Sequence, residues 1–288
     1  MKVLVLGGGG QIAGAVAAAA PNQHDVVIKA RSQLDIGDAT SLARVLKETR
    51  AEWIINAAAY TAVDLAEQER EQAAAVNDTA VGVIAKAAAH AGCKLLHLST
   101  DFVFDGDSNR AYRANDPTNP LSVYGRSKLG GERRVLQALD AGIVLRTAWI
   151  YAAQGKNFVL TMLRLMREKP EVRVVCDQIG SPTWARSAAG AIWGLIETAA
   201  PGGIYHWADL GVASWYDFAV AIQEEALTRE LLSRPIAVVP IRSAEYPTRA
   251  LRPAFSVLDT ESTRRITGLP GRHWRENLRS MLDELRAV

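Results

Sequence analysis

The chain has 288 residues, 49% hydrophobic and 22% charged, with a formal net charge of +2, which fits a globular protein of one large or two unequal domains. This charge is too small to indicate nucleic acid or a membrane surface as a partner. Its two cysteines are too few for a disulfide scaffold, and its five scattered histidines argue against a metal site.

The first half of the chain alternates short apolar runs with helical patterns. It opens on a strand without a signal-peptide pattern, and no apolar run approaches the ~20 residues of a membrane span, so we expect a cytoplasmic protein. Helices are predicted at 11–20, at 39–49 behind a capping Asp38, across 67–91, and up to 139. The strands between them are predicted at 3–6, 26–30, 53–56, 94–99 and 143–147.

The regularity weakens after about residue 151. Helices are predicted at 157–168, 184–198 and 214–226, with strands at 172–176, 203–207 and 236–240. We therefore predict an α/β fold, a Rossmann-like doubly wound parallel sheet with a smaller, interleaved C-terminal substrate lobe. The expected division is a dinucleotide-binding domain at 1–150, rejoined by about 184–208, and a mainly substrate-binding lobe at 151–288.

A glycine loop follows the first strand and opens the first helix. The G-x-x-G-x-x-G spacing falls on Gly7, Gly10 and Ala13, with the last glycine replaced by alanine. Glycines allow close backbone approach to a pyrophosphate, and the helix N-terminus offers free N–H groups to the anion. This context, between an apolar strand and a helix, predicts dinucleotide binding.

The end of the second strand bears on the choice of cofactor. An acidic residue there would favour NAD through the ribose 2′-hydroxyl, but the segment reads Lys29-Ala30-Arg31-Ser32. Arg31 suits a 2′-phosphate, so we predict NADPH and leave NADH open; a surface arginine that selects neither is the alternative. Asp35 either caps the next turn or approaches the adenine. The small residues Ala57, Ala58 and Ala59 after the third strand would let the cofactor lie close.

Tyr124 and Lys128 form a Y-x-x-x-K pair after the fourth strand, which ends at Thr100. Positions i and i+4 share one face of a helix, so the phenol and the ammonium group can reach one pocket. A nearby cation lowers the pKa of a tyrosine and makes it a better proton donor at neutral pH. We predict hydride transfer to a carbonyl carbon, with Tyr124 as acid, Lys128 lowering its pKa, and Thr100 positioning the carbonyl oxygen.

Together these motifs resemble the extended short-chain dehydrogenase/reductases, and more narrowly the dTDP-4-dehydrorhamnose reductase family. The resemblance covers nearly the whole chain and rests on residues 7–11, 34–36, 56–64, 99–106, 120–128, 131–132, 145–151, 157–158, 177–183, 246–253 and 256–259. It implies NADPH-dependent reduction of the 4-keto group of dTDP-4-dehydro-L-rhamnose to dTDP-L-rhamnose, with a nucleotide sugar as the partner molecule.

The resemblance also implies roles for individual residues. By this resemblance, the residues expected to contact the cofactor are Gly10, Gln11, Ile12, Asp35, Ile36, Ala59, Tyr60, Thr61, Tyr124 and Lys128. The residues expected to contact the substrate are Thr100, Asp101 and Trp149. We add Arg252, in the C-terminal loop, as a candidate for a diphosphate contact.

Three positions depart from the family pattern, one of them near Ala114, where the family tends to show a glutamate. Phe102 stands where the family often has a tyrosine, and Ala15 stands where some relatives carry a metal-linked glutamate at a dimer contact. We therefore predict no metal, and a monomer or weak homodimer.

The sequence argues against one other function and leaves two others open. Phe102 also replaces the second acid that nucleotide-sugar 4,6-dehydratases need, which argues against that class. Another nucleotide-deoxysugar 4-ketoreductase remains possible on the sequence. A non-catalytic, dinucleotide-binding regulatory subunit is the alternative outside enzymes.

Overall fold

A computed structural model describes residues 1–286. Apolar runs form its strands, several of them buried on both faces. The strands are β1 (Lys2–Gly8), β2 (Asp25–Ala30), β3 (Trp53–Asn56), β4 (Lys94–Thr100), β5 (Ile143–Thr147), β6 (Ile150–Tyr151), β7 (Glu171–Val175), β8 (Ile179–Gly180), β9 (Thr183–Trp184), β10 (Gly203–Trp207), β11 (Ala213–Ser214) and β12 (Ala237–Ile241).

The helices lie between these strands. They are α1 (Gln11–Ala18), α2 (Ala39–Thr49), α3 (Val63–Ala66), α4 (Arg70–Ala74), α5 (Ala80–Ala91), α6 (Val123–Ala138), α7 (Phe158–Glu168), α8 (Ala185–Glu197), α9 (Trp215–Thr228), α10 (Glu261–Thr267) and α11 (Trp274–Arg286). A π-helical segment, Ala75–Thr79, joins α4 to α5, and 3₁₀ turns cover Asp101–Val103 and Ser243–Glu245. No described helix is long and apolar enough to cross a membrane.

The central sheet has six parallel strands in the order β10-β5-β4-β3-β1-β2, which confirms the predicted fold class. Successive residues of β1 point to opposite faces. Val3 and Val5 pack into a core shared with α1 and α8, whereas Leu4 and Leu6 pack into one shared with α2 and α5. The sheet is therefore covered by helices on both sides.

The strand order reverses at β1, which lies between β2 and β3. Ligands of open parallel sheets bind at such a reversal, outside the carboxyl ends of the strands. The loops after β1, β3, β4 and β5 all start at that edge. The edge therefore positions the candidate site.

Chain segments after β5 build a second lobe. Its core joins α7, α9 and α11, and β7 pairs in parallel with β12. Two short strand pairs, β6 with β9 and β8 with β11, lie at its base. The chain also returns to the central sheet, where β10 runs parallel to β5 at the edge.

The predicted helical stretch 67–91 is interrupted in the structure. α4 begins only at Arg70, and the π-helical segment inserts before α5. Asn77, in that segment, is buried, and its side chain hydrogen-bonds the backbone of Tyr60 instead of facing solvent. π-helical insertions of this kind often occur at functional sites.

Candidate active site

The glycine loop forms a close-fitting cradle between β1 and α1. Gly7 has a φ of +94°, and a Cβ atom there would lie 2.6 Å from the Ala58 nitrogen, so only glycine fits. Gly10 caps α1 without a side-chain hydrogen bond, which leaves amide groups of the first turn open to a ligand. A cradle that a Cβ would fill, ahead of an open helix N-terminus, fits the pyrophosphate of a dinucleotide.

Gln11 ties this cradle to the second lobe. Its Oε1 accepts a hydrogen bond from Asn157 at 2.9 Å, and its Nε2 donates to the Lys156 carbonyl at 3.3 Å. Asn157 also caps α7 by accepting from the Leu160 amide. Ile12 is half-buried beside Gln11 and packs on the core of the sheet. One side chain thus connects the predicted cofactor loop to the lobe that carries α7.

The residues predicted to select the cofactor lie beyond the end of β2. Arg31 directly follows the strand and is exposed. The carboxylate of Asp35 accepts from the Gly37 amide at 2.9 Å, so it caps the turn, one of the two roles expected of it. Ile36 packs against the sheet core. An exposed guanidinium at this position is open to a phosphate group.

The segment after β3 continues the cradle. The Ala57 amide donates to the Leu6 carbonyl at 3.0 Å, and the Ala58 amide donates to the Asn56 side chain at 3.1 Å. Ala57, Ala58 and Ala59 are half-buried and Thr61 is exposed, so the small side chains leave this surface open.

Asn77 holds the end of that segment against α6. Its side chain accepts from the Tyr60 amide at 2.8 Å and donates to the Tyr60 carbonyl at 3.0 Å and to Ser127 at 3.0 Å. Ser127 lies on α6 between Tyr124 and Lys128. Sequence reasoning missed Asn77; a buried asparagine inside an otherwise apolar helix pattern was the available signal.

Thr100, Tyr124 and Lys128 meet at the carboxyl end of β4. Ser122 caps α6 by accepting from the Gly125 amide, which starts the helix just before Tyr124. Tyr124 lies near the Thr100 hydroxyl, close enough for that group to lower its pKa, and Lys128 is buried one turn further along. Gly125 permits this approach, because a Cβ atom there would lie 2.2 Å from the Phe102 carbonyl oxygen.

The predicted electrostatic effect of Lys128 on Tyr124 is wrong in this structure. The Lys128 ammonium group donates to the Leu98 carbonyl at 2.6 Å. Burial raises the pKa of Tyr124 to about 12; Asp101 adds to the rise, and Thr100 opposes it. Burial also lowers the pKa of Lys128 to about 8, against the opposing effect of Glu132. Desolvation therefore dominates the pKa of both groups.

Asp101 places a carboxyl group beside Thr100. It is buried, and its Oδ1 accepts from the Thr100 hydroxyl at 3.1 Å. Burial raises the pKa of Asp101 to about 6, although Ser256 and Thr100 favour the charged form. Its Oδ2 has no hydrogen-bond partner of normal geometry within residues 1–286. A buried polar atom without such a partner is uncommon in folded proteins.

Trp149 occupies a constrained position just after β5. It adopts a φ of +48°, which is uncommon for a residue with a side chain. Its ring stacks on Trp215 with the centroids 3.5 Å apart, and Gly180 leaves room for it, since a Cβ atom there would lie 2.5 Å from the indole. Residues held in such a conformation cluster at functional sites.

Arg252 lies on the C-terminal loop and pairs with Asp64. The Nη2 to Oδ2 distance is 2.7 Å, and the Nη1 to Oδ1 distance is 3.1 Å. The structure thus brings Arg252 to the segment that follows Tyr60 and Thr61. Neither the sequence spacing nor the motif reasoning had linked these two residues.

A buried ion pair joins α6 to β5. Glu132, one turn beyond Lys128, accepts from Arg146 at 2.9 and 2.7 Å and from Ser99. Both charged side chains are almost fully buried. Sequence reasoning did not assign Glu132 a role, although its i+4 spacing from Lys128 placed it on the buried face of α6. No group of acidic, histidine or cysteine side chains that could hold a metal occurs within residues 1–286.

Comparisons with known proteins agree with this geometry. The family model described as RmlD substrate binding domain matches residues 1–287. The dTDP-4-dehydrorhamnose reductase of Burkholderia thailandensis is 42% identical in an alignment of 287 positions that covers 96% of each chain.

Solved structures of similar proteins cover the same length. A dTDP-4-dehydrorhamnose reductase from Bacillus anthracis in complex with NADP is 34% identical and has a TM-score of 0.92, covering 98% of this chain and 99% of its own. One from Clostridium acetobutylicum is 33% identical with a TM-score of 0.93, covering 99% of this chain and 100% of its own. The chain therefore belongs to the RmlD substrate binding domain family, that of the dTDP-4-dehydrorhamnose reductases.

Proposed function

We propose that the protein uses NADPH to reduce the 4-keto group of dTDP-4-dehydro-L-rhamnose and releases dTDP-L-rhamnose. The observation that carries this proposal is the meeting of Thr100, Tyr124 and Lys128 beside the unpartnered oxygen of Asp101. Full-length similarity to reductases of this name, one of them crystallised with NADP, supports it.

The proposed chemistry adds a hydride to the carbonyl carbon and a proton to the carbonyl oxygen. When bound, the reduced nicotinamide supplies the hydride. Thr100 turns its one hydroxyl hydrogen from Asp101 Oδ1 to the carbonyl oxygen, and Tyr124 transfers its phenolic proton to that oxygen as it becomes an alkoxide. A phenol with a pKa of about 12 stays protonated at neutral pH and is still a stronger acid than a sugar hydroxyl.

In this proposal, the remaining residues bind and orient the cofactor and the substrate. Lys128 holds the nicotinamide ribose, and its positive charge stabilises the phenolate that remains after proton transfer. The cofactor lies along Gly7, Gly10, Gln11, Ile12, Arg31, Asp35, Ile36, Ala57, Ala58, Ala59, Tyr60 and Thr61. The substrate contacts Thr100, Asp101, Trp149 and Arg252. Residues 1–150 supply most cofactor contacts, and residues 151–288 supply most of the substrate lobe.

Product analysis tests the proposed function. Purified protein is incubated with dTDP-4-dehydro-L-rhamnose and either NADPH or NADH, and both cofactor oxidation and the sugar product are followed. We expect stoichiometric oxidation of NADPH and formation of dTDP-L-rhamnose. Tight cofactor binding without turnover would favour a regulatory subunit, and turnover to the C4 epimer would favour another deoxysugar ketoreductase.

A further inference from the structure

One C-terminal segment, residues 248–256, connects three parts of the cleft and is called the strap here. At its start, the Ala250 amide donates to the Asp64 carboxylate at 3.1 Å. In its middle, the backbone of Ala254 passes Gly106 so closely that a Cβ atom on that glycine would lie 2.6 Å from the Ala254 nitrogen. At its end, it exchanges two backbone hydrogen bonds of 2.8 Å with Ile179. The strap therefore links the segment after β3, the segment after β4, and the second lobe.

Asp64 fixes the orientation of the Arg252 guanidinium within the strap. Both terminal nitrogens donate to the carboxylate, and Nη1 also donates to the Ala250 carbonyl at 3.2 Å. The edge formed by Nε and the second hydrogen of Nη2 has no acceptor among residues 1–286. Such an edge binds two oxygens of a phosphate group in parallel.

The charges around this edge favour an anion. Asp64 and Arg252 neutralise each other, and Arg249, which donates to Gln68, adds a positive charge close to Asp64. Asp64 therefore weakens the attraction of Arg252 for a distant anion but holds the guanidinium in one orientation. Fixing a long side chain before binding reduces the conformational entropy lost on binding.

We propose, on the basis of the function proposed above, that Asp64 is a positioning residue for the nucleotide sugar. It holds the strap across the cleft and keeps the Nε–Nη2 edge of Arg252 ready to bind the substrate's diphosphate. The dinucleotide also contains a pyrophosphate, and its binding is the competing outcome that the test separates.

The test measures binding of dTDP and of NADPH separately by calorimetry. Asp64→Asn keeps the size of the side chain and is expected to weaken dTDP binding by about tenfold and NADPH binding by less than about twofold. Arg252→Lys, which keeps the charge but loses the planar edge, should weaken dTDP binding at least as much. The KM for the nucleotide sugar should rise in both variants, with kcat changed by less than about twofold.

Asp283→Asn is the matched control. It breaks another ion pair, between Arg229 on α9 and Asp283 on α11, with an Nε to Oδ1 distance of 2.7 Å. It removes the same charge without touching the strap. We expect dTDP and NADPH affinities equal to those of the wild type.

A double-mutant cycle separates positioning from a general structural effect. If Asp64 acts through Arg252, Asp64→Asn should change dTDP affinity by less than about twofold in an Arg252→Ala background. Additive losses would overturn the proposal, as would unchanged dTDP binding by Asp64→Asn or a loss confined to NADPH. A wild-type protein that binds dTDP but reduces no sugar would refute the proposed function alone, because the titrations still test the strap.

Discussion

Asp101 combines a buried carboxyl group with an oxygen that has no hydrogen-bond partner of normal geometry among residues 1–286. Burial raises its pKa to about 6, from ~3.9 for an exposed aspartate. A raised pKa means that the folded state binds the proton more tightly than the unfolded state does. The stability that the folded protein gains from keeping Asp101 protonated is therefore complete below about pH 4 and is lost as the pH rises through about 6.

Asp101→Asn tests how much the ionisation of the buried Asp101 destabilises the folded protein. The substitution removes the ionisable group, so we expect the variant to be more stable than the wild type by roughly 2 to 3 kcal/mol at about pH 8, with the difference vanishing near pH 4. Denaturant unfolding at the two pH values measures it. Its kcat/KM should fall, because the amide offers a poorer acceptor to a sugar hydroxyl. A variant less stable than the wild type at about pH 8 would contradict the raised pKa of Asp101.

Arg31 is exposed just beyond β2, where a 2′-phosphate would lie. Arg31→Ala should weaken NADPH binding by about tenfold and leave NADH binding within about twofold, because only NADPH carries the phosphate. Titration of the protein with each reduced cofactor measures both affinities. Equal losses for the two cofactors would mean that Arg31 does not contact the 2′-phosphate.

At the scale of elements, α6 depends on its buried ion pair with β5. Glu132 makes two short contacts to Arg146, and neither charge reaches solvent. Glu132→Gln leaves Arg146 charged in the interior, so we expect a loss of about 3 to 5 kcal/mol in the free energy of unfolding. Chemical denaturation of the purified variant measures this loss.

An exposed pair on the same helix provides the comparison. Arg134 contacts Asp78 at 2.8 Å, with its side chain about half exposed to solvent. Arg134→Gln should cost less than about 1 kcal/mol. Similar losses for Glu132→Gln and Arg134→Gln would show that burial of the first pair contributes little.

Local signals explain which elements the sequence could predict. α2 has the predicted bounds because Asp38 caps it, accepting from the Thr40 and Ser41 amides. β3, β5 and β10 also have the predicted bounds, since each is a short run rich in β-branched or aromatic residues. The π-helical segment and short pairs such as β6 with β9 depend on contacts between distant residues, which no local pattern encodes.

At the scale of the whole molecule, the site follows from the topology. Parallel strands bring their carboxyl ends to one edge, so Thr100 and the helix that carries Tyr124 and Lys128 were predictable as neighbours. The Lys128 contact to Leu98 and the Asp64–Arg252 pair were not, because they depend on how separate segments approach one another. The division into cofactor and substrate parts and the oligomeric state stay predictions.

The two lobes are connected through the predicted cofactor loop, where Gln11 hydrogen-bonds Asn157, and through β10, which belongs to the sheet. The cradle at Gly7 and Tyr124 lie at the carboxyl edge of the central sheet, and the strap is tied to the segments that follow β3 and β4 at that edge. The proposed reduction of a sugar ketone requires a proton from the protein, and Tyr124, neutral at pH 7 and near Thr100, is the acid that the proposal assigns to it.

The most direct test is the turnover of Tyr124→Phe with NADPH and dTDP-4-dehydro-L-rhamnose. The variant keeps the ring and loses only the phenolic hydroxyl. We predict that kcat falls by about 10² to 10⁴, while the affinities for NADPH and dTDP stay within about twofold of the wild type. A variant that reduces the sugar at the wild-type rate would contradict the assignment of Tyr124 as the proton donor.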